Sequence, residues 1–394
     1  MTSSDLPYWK LSSFYLFYFS TLGALIPYWG LYLQSLGFSA AEIGELIAIL
    51  ALTKLIAPNI WGWVADYTGK GMWVVRITSL LALLSFSLLL WVQNYLALAL
   101  VMALFSFFWN ASLPQFEAVT FSHLGKNSHA YGRIRLWGSL GFIFLVVLLG
   151  PLLDRFGVET LPWIVLWLFV LLWLSSLLVP EAPASDHSSS VASLWSVLKQ
   201  PKVVALLLAC FLLQASHGPY YVFYSIYLEQ ASYSKTVIGL LWALGVVAEI
   251  GVFLWASQLL RRFHLGKLLA LSLFLTALRW LLIAYFVEVQ VVLLFAQLLH
   301  AASFGLYHLV AISFIHRFFV GRHQGRGQAI YASVSFGAGG AVGSYFAGQF
   351  WQPWGAELTF LVAGGVALLA ALVAYWGLLS RDEFVLSVKS KGNP

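Results

Sequence analysis

The sequence predicts an all-α membrane protein of twelve transmembrane helices in two pseudo-symmetric six-helix bundles with both termini cytoplasmic. Three observations carry this. The 394 residues are 61% hydrophobic and only 9% charged, with mean hydropathy +0.86. A soluble domain carries about 25% charged residues, and the deficit here runs along the whole chain, as in a polytopic protein. Second, the apolar stretches are long enough to cross roughly 30 Å of hydrocarbon. Third, the two halves of the chain repeat.

The first set of stretches falls at 11–34, 40–64, 72–92, 94–121, 132–151 and 160–179. The second falls at 203–228, 236–259, 267–287, 289–316, 327–351 and 357–379. Between them lies PEAPASDHSSSVASLWSVLKQPK, rich in Pro, Ser and Ala, which reads as a linker. The expected domains are an N-terminal bundle 1–180, a cytoplasmic linker 181–199, a C-terminal bundle 200–380 and a cytoplasmic tail 381–394.

The basic residues set the orientation. With a cytoplasmic N-terminus that side receives 17 of the 21 Lys and Arg, among them Lys126, Lys199, Lys202, Arg261, Arg262, Arg317, Arg322 and Arg326. The net charge of +6 thus reflects topology and gives no argument for nucleic acid. The start, MTSSDLPYWK, lacks a basic region followed by a short apolar core and small-residue site, so no cleaved signal peptide is expected. A single cysteine, Cys210, forbids an intrachain disulfide.

Residues 32–46, YLQSLGFSAAEIGEL, match 227–241, YLEQASYSKTVIGLL, at six of fifteen positions with a constant offset of 195. That offset sets Asp66 against Arg261 and Lys54 against Glu249. Each half therefore carries one charge at matching depth. Parallel six-helix repeats are a transporter architecture whose substrate site lies near the midplane.

The loop after the second helix reads GWVADYTGKGMWVVR. It resembles the signature loop of the major facilitator superfamily, with Gly62, Asp66, Gly69, Lys70 and Arg76 at the matching positions. Asp66 is expected to accept from a neighbouring helix N-terminus or a basic residue, in a contact that breaks when the cytoplasmic side opens. Narrower likenesses follow in LLQASHGPYYVFYSIYLEQASYS, GLLWALGVVAEIGVF and YGRIRLWGSLGF, which resemble the phenylpropionate permease family. That family is grouped with lactose permease and the nucleoside–proton symporters. The resemblance implies a proton-coupled importer with a central cavity, and related members carry sugars, nucleosides or aromatic acids.

The intramembrane ionisable residues are Lys54, Glu117, Arg135, His217, Glu249, Arg279, His300 and His308, with His316 near a helix end. Such residues normally face the bundle interior or a watery cavity and mark a substrate or ion path; structural ion pairs between helices are the alternative. A carboxylate at the bilayer centre costs roughly 2.5–3.5 kcal/mol on insertion scales, so Glu249 needs compensation or a use. Beside a cation that comes and goes it can take up a proton in one state and release it in another. Lys54 and Arg279 are the candidate cations, and a permanent pair with either is the competing reading.

In the lactose permease pattern the helix-ten glutamate that carries the proton falls at Ser303, so the resemblance moves that role to Glu249. It also aligns Arg279 and His300 with that permease's proton-coupling region, and His308 with the phenylpropionate branch. Glu117 and Arg135 match its galactoside-binding pair, while its sugar-stacking tryptophan falls near Phe142, which counts against galactosides. For an aromatic acid, Arg279 or Lys54 would hold the carboxylate, and an arginine does so bidentately. His217, followed by the helix-interrupting Gly218 and Pro219, shares a face with Tyr221 and Tyr224 within about 60°. His300 and His308 lie about 80° apart around their helix.

Gly339 and Gly343 stand four apart, a spacing that permits close helix contact within one chain. No third and fourth ligand stands at metal-site spacing, so no metal is expected. No GxxxxGK[ST] occurs, so no nucleotide cofactor is expected either. The expected protein is not an enzyme but a monomeric, multi-pass secondary transporter of a bacterial-type inner membrane. The expected substrate is a small aromatic carboxylate, taken up with a proton; sodium is the other coupling ion. A sugar or nucleoside symporter and a drug exporter are the rival transport readings. A membrane sensor would want a soluble signalling domain, and a membrane enzyme a nucleophile–base pair.

Overall fold

The computed structural model describes residues 6–125, 127, 130–181, 194–320 and 323–379. The tail 381–394, most of the linker, Lys126 and Arg322 lie outside the described residues. All regular structure among the described residues is helical. The first elements are α1 (Tyr8–Ser35), α2 (Ala40–Thr68), α3 (Gly71–Ser87), α4 (Tyr95–Leu124), α5 (Tyr131–Phe156) and α6 (Leu161–Leu178). They continue as α7 (Leu194–Leu198), α8 (Pro201–Ser216), α9 (Gly218–Gln230), α10 (Lys235–Leu254) and α11 (Ala256–Arg262). The last are α12 (Leu265–Tyr285), α13 (Gln290–Leu298), α14 (Tyr307–Phe318), α15 (His323–Ala332) and α16 (Gly340–Ala374).

Ten helical stretches among the described residues are long and apolar enough to cross a bilayer. The longest, His323–Leu379, contains the non-helical Gly355 at φ 79, which divides it in two. α2, 29 residues long, is outside that set and carries Glu42, Glu45, Lys54 and Asp66.

Local chemistry sets the ends and breaks. α2 opens on a capping box: Ser39 accepts from Glu42 N–H, while the Glu42 carboxylate accepts from Ser39 N–H at 2.8 Å. It closes on Gly69 in the left-handed conformation, whose N–H donates to Ala65 O. Proline removes a donor from the ladder, so Pro27, Pro58, Pro114 and Pro151 each take one hydrogen bond from α1, α2, α4 and α5, which continue through them. The apolar run 203–228 is two helices, α8 and α9, joined at His217. The run 289–316 passes through a wider π turn at Ala301–Leu306, and a second such turn spans Ser333–Gly339.

The described chain packs as two compact units. One holds Met1–Ser189 with Tyr220–Ala243, the other Ser190–Pro219 with Leu244–Pro394. The units thus cut the chain at other residues than the repeat does. Contacts with α1 and α5 tie 220–243 to the first unit. The Asp154 carboxylate accepts from Lys235 N–H at 2.8 Å, Thr236 N–H at 2.9 Å and the Thr236 hydroxyl at 2.6 Å. Tyr28 donates to Val146 O at 2.9 Å. A core of Trp29, Phe86, Phe105 and Phe169 rings fills this unit further in. In the second unit Leu206 and Leu213 pack with Leu269, Leu273, Val310 and Phe314. There the π turn Ser333–Gly339 and α16 lie directly on α8, since a Cβ at Gly339 would stand 2.6 Å from Phe211 O and one at Gly343 would collide with Ala215 O. The small-residue spacing serves contact within the chain, as expected.

Candidate functional site

The second unit gathers the densest cluster of intramembrane polar groups. Arg279 on α12 is fully buried. Its Nε donates to Ala296 O at 3.0 Å, and one terminal nitrogen to Gln297 Oε1 at 3.0 Å. The other terminal nitrogen stands 3.0 Å from both His300 Nδ1 and Ser303 Oγ. A guanidinium only donates, so His300 Nδ1 accepts, and the neutral ring carries its proton on Nε2. That nitrogen stands 3.8 Å from Glu249 Oε2. The three residues thus form a sequence in space, Arg279, His300, Glu249. Small neighbours make room: a Cβ at Gly245 would meet the His300 ring at 3.2 Å, and one at Gly305 the Glu249 Cγ at 3.0 Å.

Glu249 falls on roughly the opposite side of α10 from the exposed Leu240, Val247 and Leu254, while Phe253, one turn on from Glu249, is exposed as well. The Glu249 side chain is 16% exposed. The Ser303 hydroxyl accepts an Arg279 N–H at 3.0 Å.

His217 is fully buried at the α8–α9 break. Its Nδ1 stands 2.8 Å from Leu213 O, so it donates there. Its ring meets Trp280 edge-on, centroids 4.9 Å apart. Gly218 abuts Gly343 backbone to backbone, which holds the break against α16. His308 Nδ1 is 3.0 Å from the Tyr331 hydroxyl. The Phe304 ring stacks on His300 at 14° and on His308 at 7°. The two histidines therefore share a face after all. The π turn between them adds a residue to the helical turn and takes up the 80° expected from regular geometry.

The first unit carries the other candidates. Tyr131 donates to Glu117 at 3.2 Å, and Arg135 Nε lies 3.9 Å from the same carboxylate. The Arg135 guanidinium sits over the Phe19 ring at 3.8 Å. Tyr224 is fully buried in a cluster with Tyr220 and Trp242, and Tyr221 is half-buried beside it. Lys54 is half-buried in mid-α2, with no hydrogen bond or ion pair among the described residues.

The signature loop is only partly engaged. Arg76 donates to Val179 O at 2.6 Å, at the end of α6. Gly69 is the left-handed cap of α2, and Gly62 lies against Gln115. Lys70 and Asp66 are exposed, and Asp66 makes no hydrogen bond or ion pair among the described residues. The start of α3 is capped by Glu181, which accepts from Met72 N–H at 2.8 Å.

Sequence reasoning passed over Gln297, Trp280, Phe19, Glu181 and Asn110. Gln297 and Asn110 carried a signal, being polar side chains inside apolar runs. The aromatic residues carried none among the 30 Phe and 18 Trp of this chain.

Residues 8–362 match the MFS_1 like family. The chain belongs to that family. It is a major facilitator transporter, a multi-pass integral membrane protein and not an enzyme. It is 30% identical over 392 residues to the probable 3-phenylpropionic acid transporter of Escherichia coli (strain K12), covering 95% of this chain and 97% of that one. The maltose permease of Geobacillus stearothermophilus is 27% identical, with 91% and 92% covered. The crystal structure of the nucleoside transporter NupG superposes with TM-score 0.82 at 18% identity, covering 95% of this chain and 99% of the other. The fold is that of the major facilitator transporters.

Proposed function

We propose that this chain is a proton-coupled symporter that takes up a small aromatic carboxylate of the phenylpropionate type by alternating access. It would work in a bacterial-type inner membrane, with twelve spans and cytoplasmic termini. One observation carries the coupling: an intramembrane carboxylate, Glu249, faces the protonated nitrogen of a histidine that Arg279 orients from its other side. The Glu249 side chain is largely buried. In this account Glu249 takes up the proton, His300 steadies the ionised form, and Arg279 fixes the ring.

The 30% identity to a probable 3-phenylpropionic acid transporter supports the substrate class. A second reading, a sugar or nucleoside symporter, is favoured by the Glu117–Arg135 pair and by the maltose permease likeness. Uptake of labelled 3-phenylpropionate, maltose and a nucleoside into proteoliposomes under an imposed pH gradient separates them. Gradient-driven accumulation of the acid alone is the expected result. Accumulation of maltose or the nucleoside instead would install the second reading.

A further inference from the structure

A fixed positive charge inside a membrane protein is costly unless something compensates it. The intramembrane cations here differ in what compensates them. Arg279 spends its donors on Ala296, Gln297, His300 and Ser303. Arg135 rests on Phe19 beside Glu117. Lys54 makes neither a hydrogen bond nor an ion pair among the described residues.

Its placement is not that of a lysine reaching for a headgroup. Leu52, Ile56, Ile60 and Trp63 form the exposed stripe of α2, and at about 100° per residue Lys54 falls on roughly the opposite side. The residue as a whole is only half-buried, so it is not sealed into a packed core.

The backbone around it is built for polar contact. Pro58 leaves the carbonyl of Lys54 without its helical donor, and Pro114 does the same to the carbonyl of Asn110. A backbone carbonyl freed at membrane depth is tolerated where it is buried in protein or lines a water-filled cavity. Side chains join the two helices near these prolines. Asn110 Nδ2 donates to Leu50 O at 3.0 Å and to Thr53 Oγ1 at 2.8 Å, and Thr53 donates to Ser106 Oγ at 2.9 Å. This joint fixes the rotation of α2 one turn before Lys54 and at its neighbour.

We infer that Lys54 is the anchor for the substrate carboxylate, held in register by the Asn110–Thr53–Ser106 joint between α2 and α4. The inference rests on the proposed function and deepens it by choosing between the two cations the sequence offered. An acid that enters brings the missing counter-charge. A neutral analogue of the same shape leaves the ammonium uncompensated and binds more weakly.

The test uses the full chain in lipid nanodiscs, with 3-phenylpropionate and 3-phenylpropan-1-ol as probes, and compares wild type with Lys54→Met and Lys54→Arg. Wild type should bind the acid at least about tenfold more tightly than the alcohol. Lys54→Met should erase that preference without weakening the alcohol, and Lys54→Arg should keep most of it. Without ligand, Lys54→Met should unfold at or above the wild-type temperature, because it removes a charge that nothing offsets. A preference that survives in Lys54→Met overturns the anchor and leaves the proposed function standing. So does a ligand-free Lys54→Met that melts several degrees lower, since Lys54 would then have a structural partner. A wild type with no preference for the acid overturns the proposed substrate, and the anchor with it.

Discussion

Nδ1 of His300 accepts a hydrogen bond from Arg279 at 3.0 Å. That contact decides which nitrogen His300 can offer on its far side. Held in this tautomer, the ring turns a donor toward Glu249, 3.8 Å away. A donor steadies the ionised carboxylate and does nothing comparable for the protonated one. The geometry therefore couples the orientation of one ring to the proton affinity of one acid.

Replacing His300 with Phe removes the acceptor for Arg279 and the donor for Glu249 together. The Arg279–His300 hydrogen bond, being to a charged group, contributes about 1.5–3 kcal/mol. The variant should melt several degrees lower in detergent and fail to accumulate substrate. His300→Gln keeps a donor and an acceptor, and should recover the melting temperature more fully than the transport.

Arg279→Lys keeps the charge and loses the fork. Four acceptors now served in a fixed plane would compete for one ammonium. The expected result is lower stability and defective coupling. The affinity for 3-phenylpropionate, measured at equilibrium, should change little, because the carboxylate is held elsewhere.

Ser303→Glu places a second carboxylate next to Arg279. Alone it should raise no transport. Combined with Glu249→Gln it should recover part of the gradient-driven uptake, which a radiolabel assay against the single variant measures.

Gly343→Val drives a side chain into the backbone of α8 at Ala215. No flexible neighbour can yield there. Overpacking of this kind costs typically 1–3 kcal/mol or more. A fall in the detergent melting temperature should exceed that for Gly251→Val, where the structure leaves open space.

Removing the carboxylate of Asp154 by substitution with Ala takes the acceptor from two N–H groups at the start of α10, those of Lys235 and Thr236, and from the Thr236 hydroxyl. A helix cap is worth about 0.5–2 kcal/mol. Hydrogen exchange at residues 235–238 should accelerate in the variant, with the second unit unchanged.

The all-helical, multi-pass character was legible in the sequence because hydropathy reports burial in lipid directly. The charges Lys54, Glu249 and Arg279 were legible for the same reason, each being expensive where it stands. The links between them were not. Ser303, one of the Arg279 partners, sits in the π turn at Ala301–Leu306, which a regular 3.6-residue period does not foresee. The same turn stacks His300, Phe304 and His308 in one ladder. The break at His217 was readable from Gly218 and Pro219, yet Tyr224 turned out to be packed away, because aromatic residues in an apolar run do not announce which neighbour they meet. Asp66 matches its motif by letter and stands exposed, while Glu181, from the segment read as linker, caps α3.

The central claim is that Glu249 exchanges the coupling proton. Glu249→Gln in proteoliposomes tests it most directly, by comparing uphill uptake under a pH gradient with counterflow exchange in the same preparation. The account predicts that uphill uptake vanishes while exchange persists. A variant that concentrates 3-phenylpropionate as wild type does would contradict it.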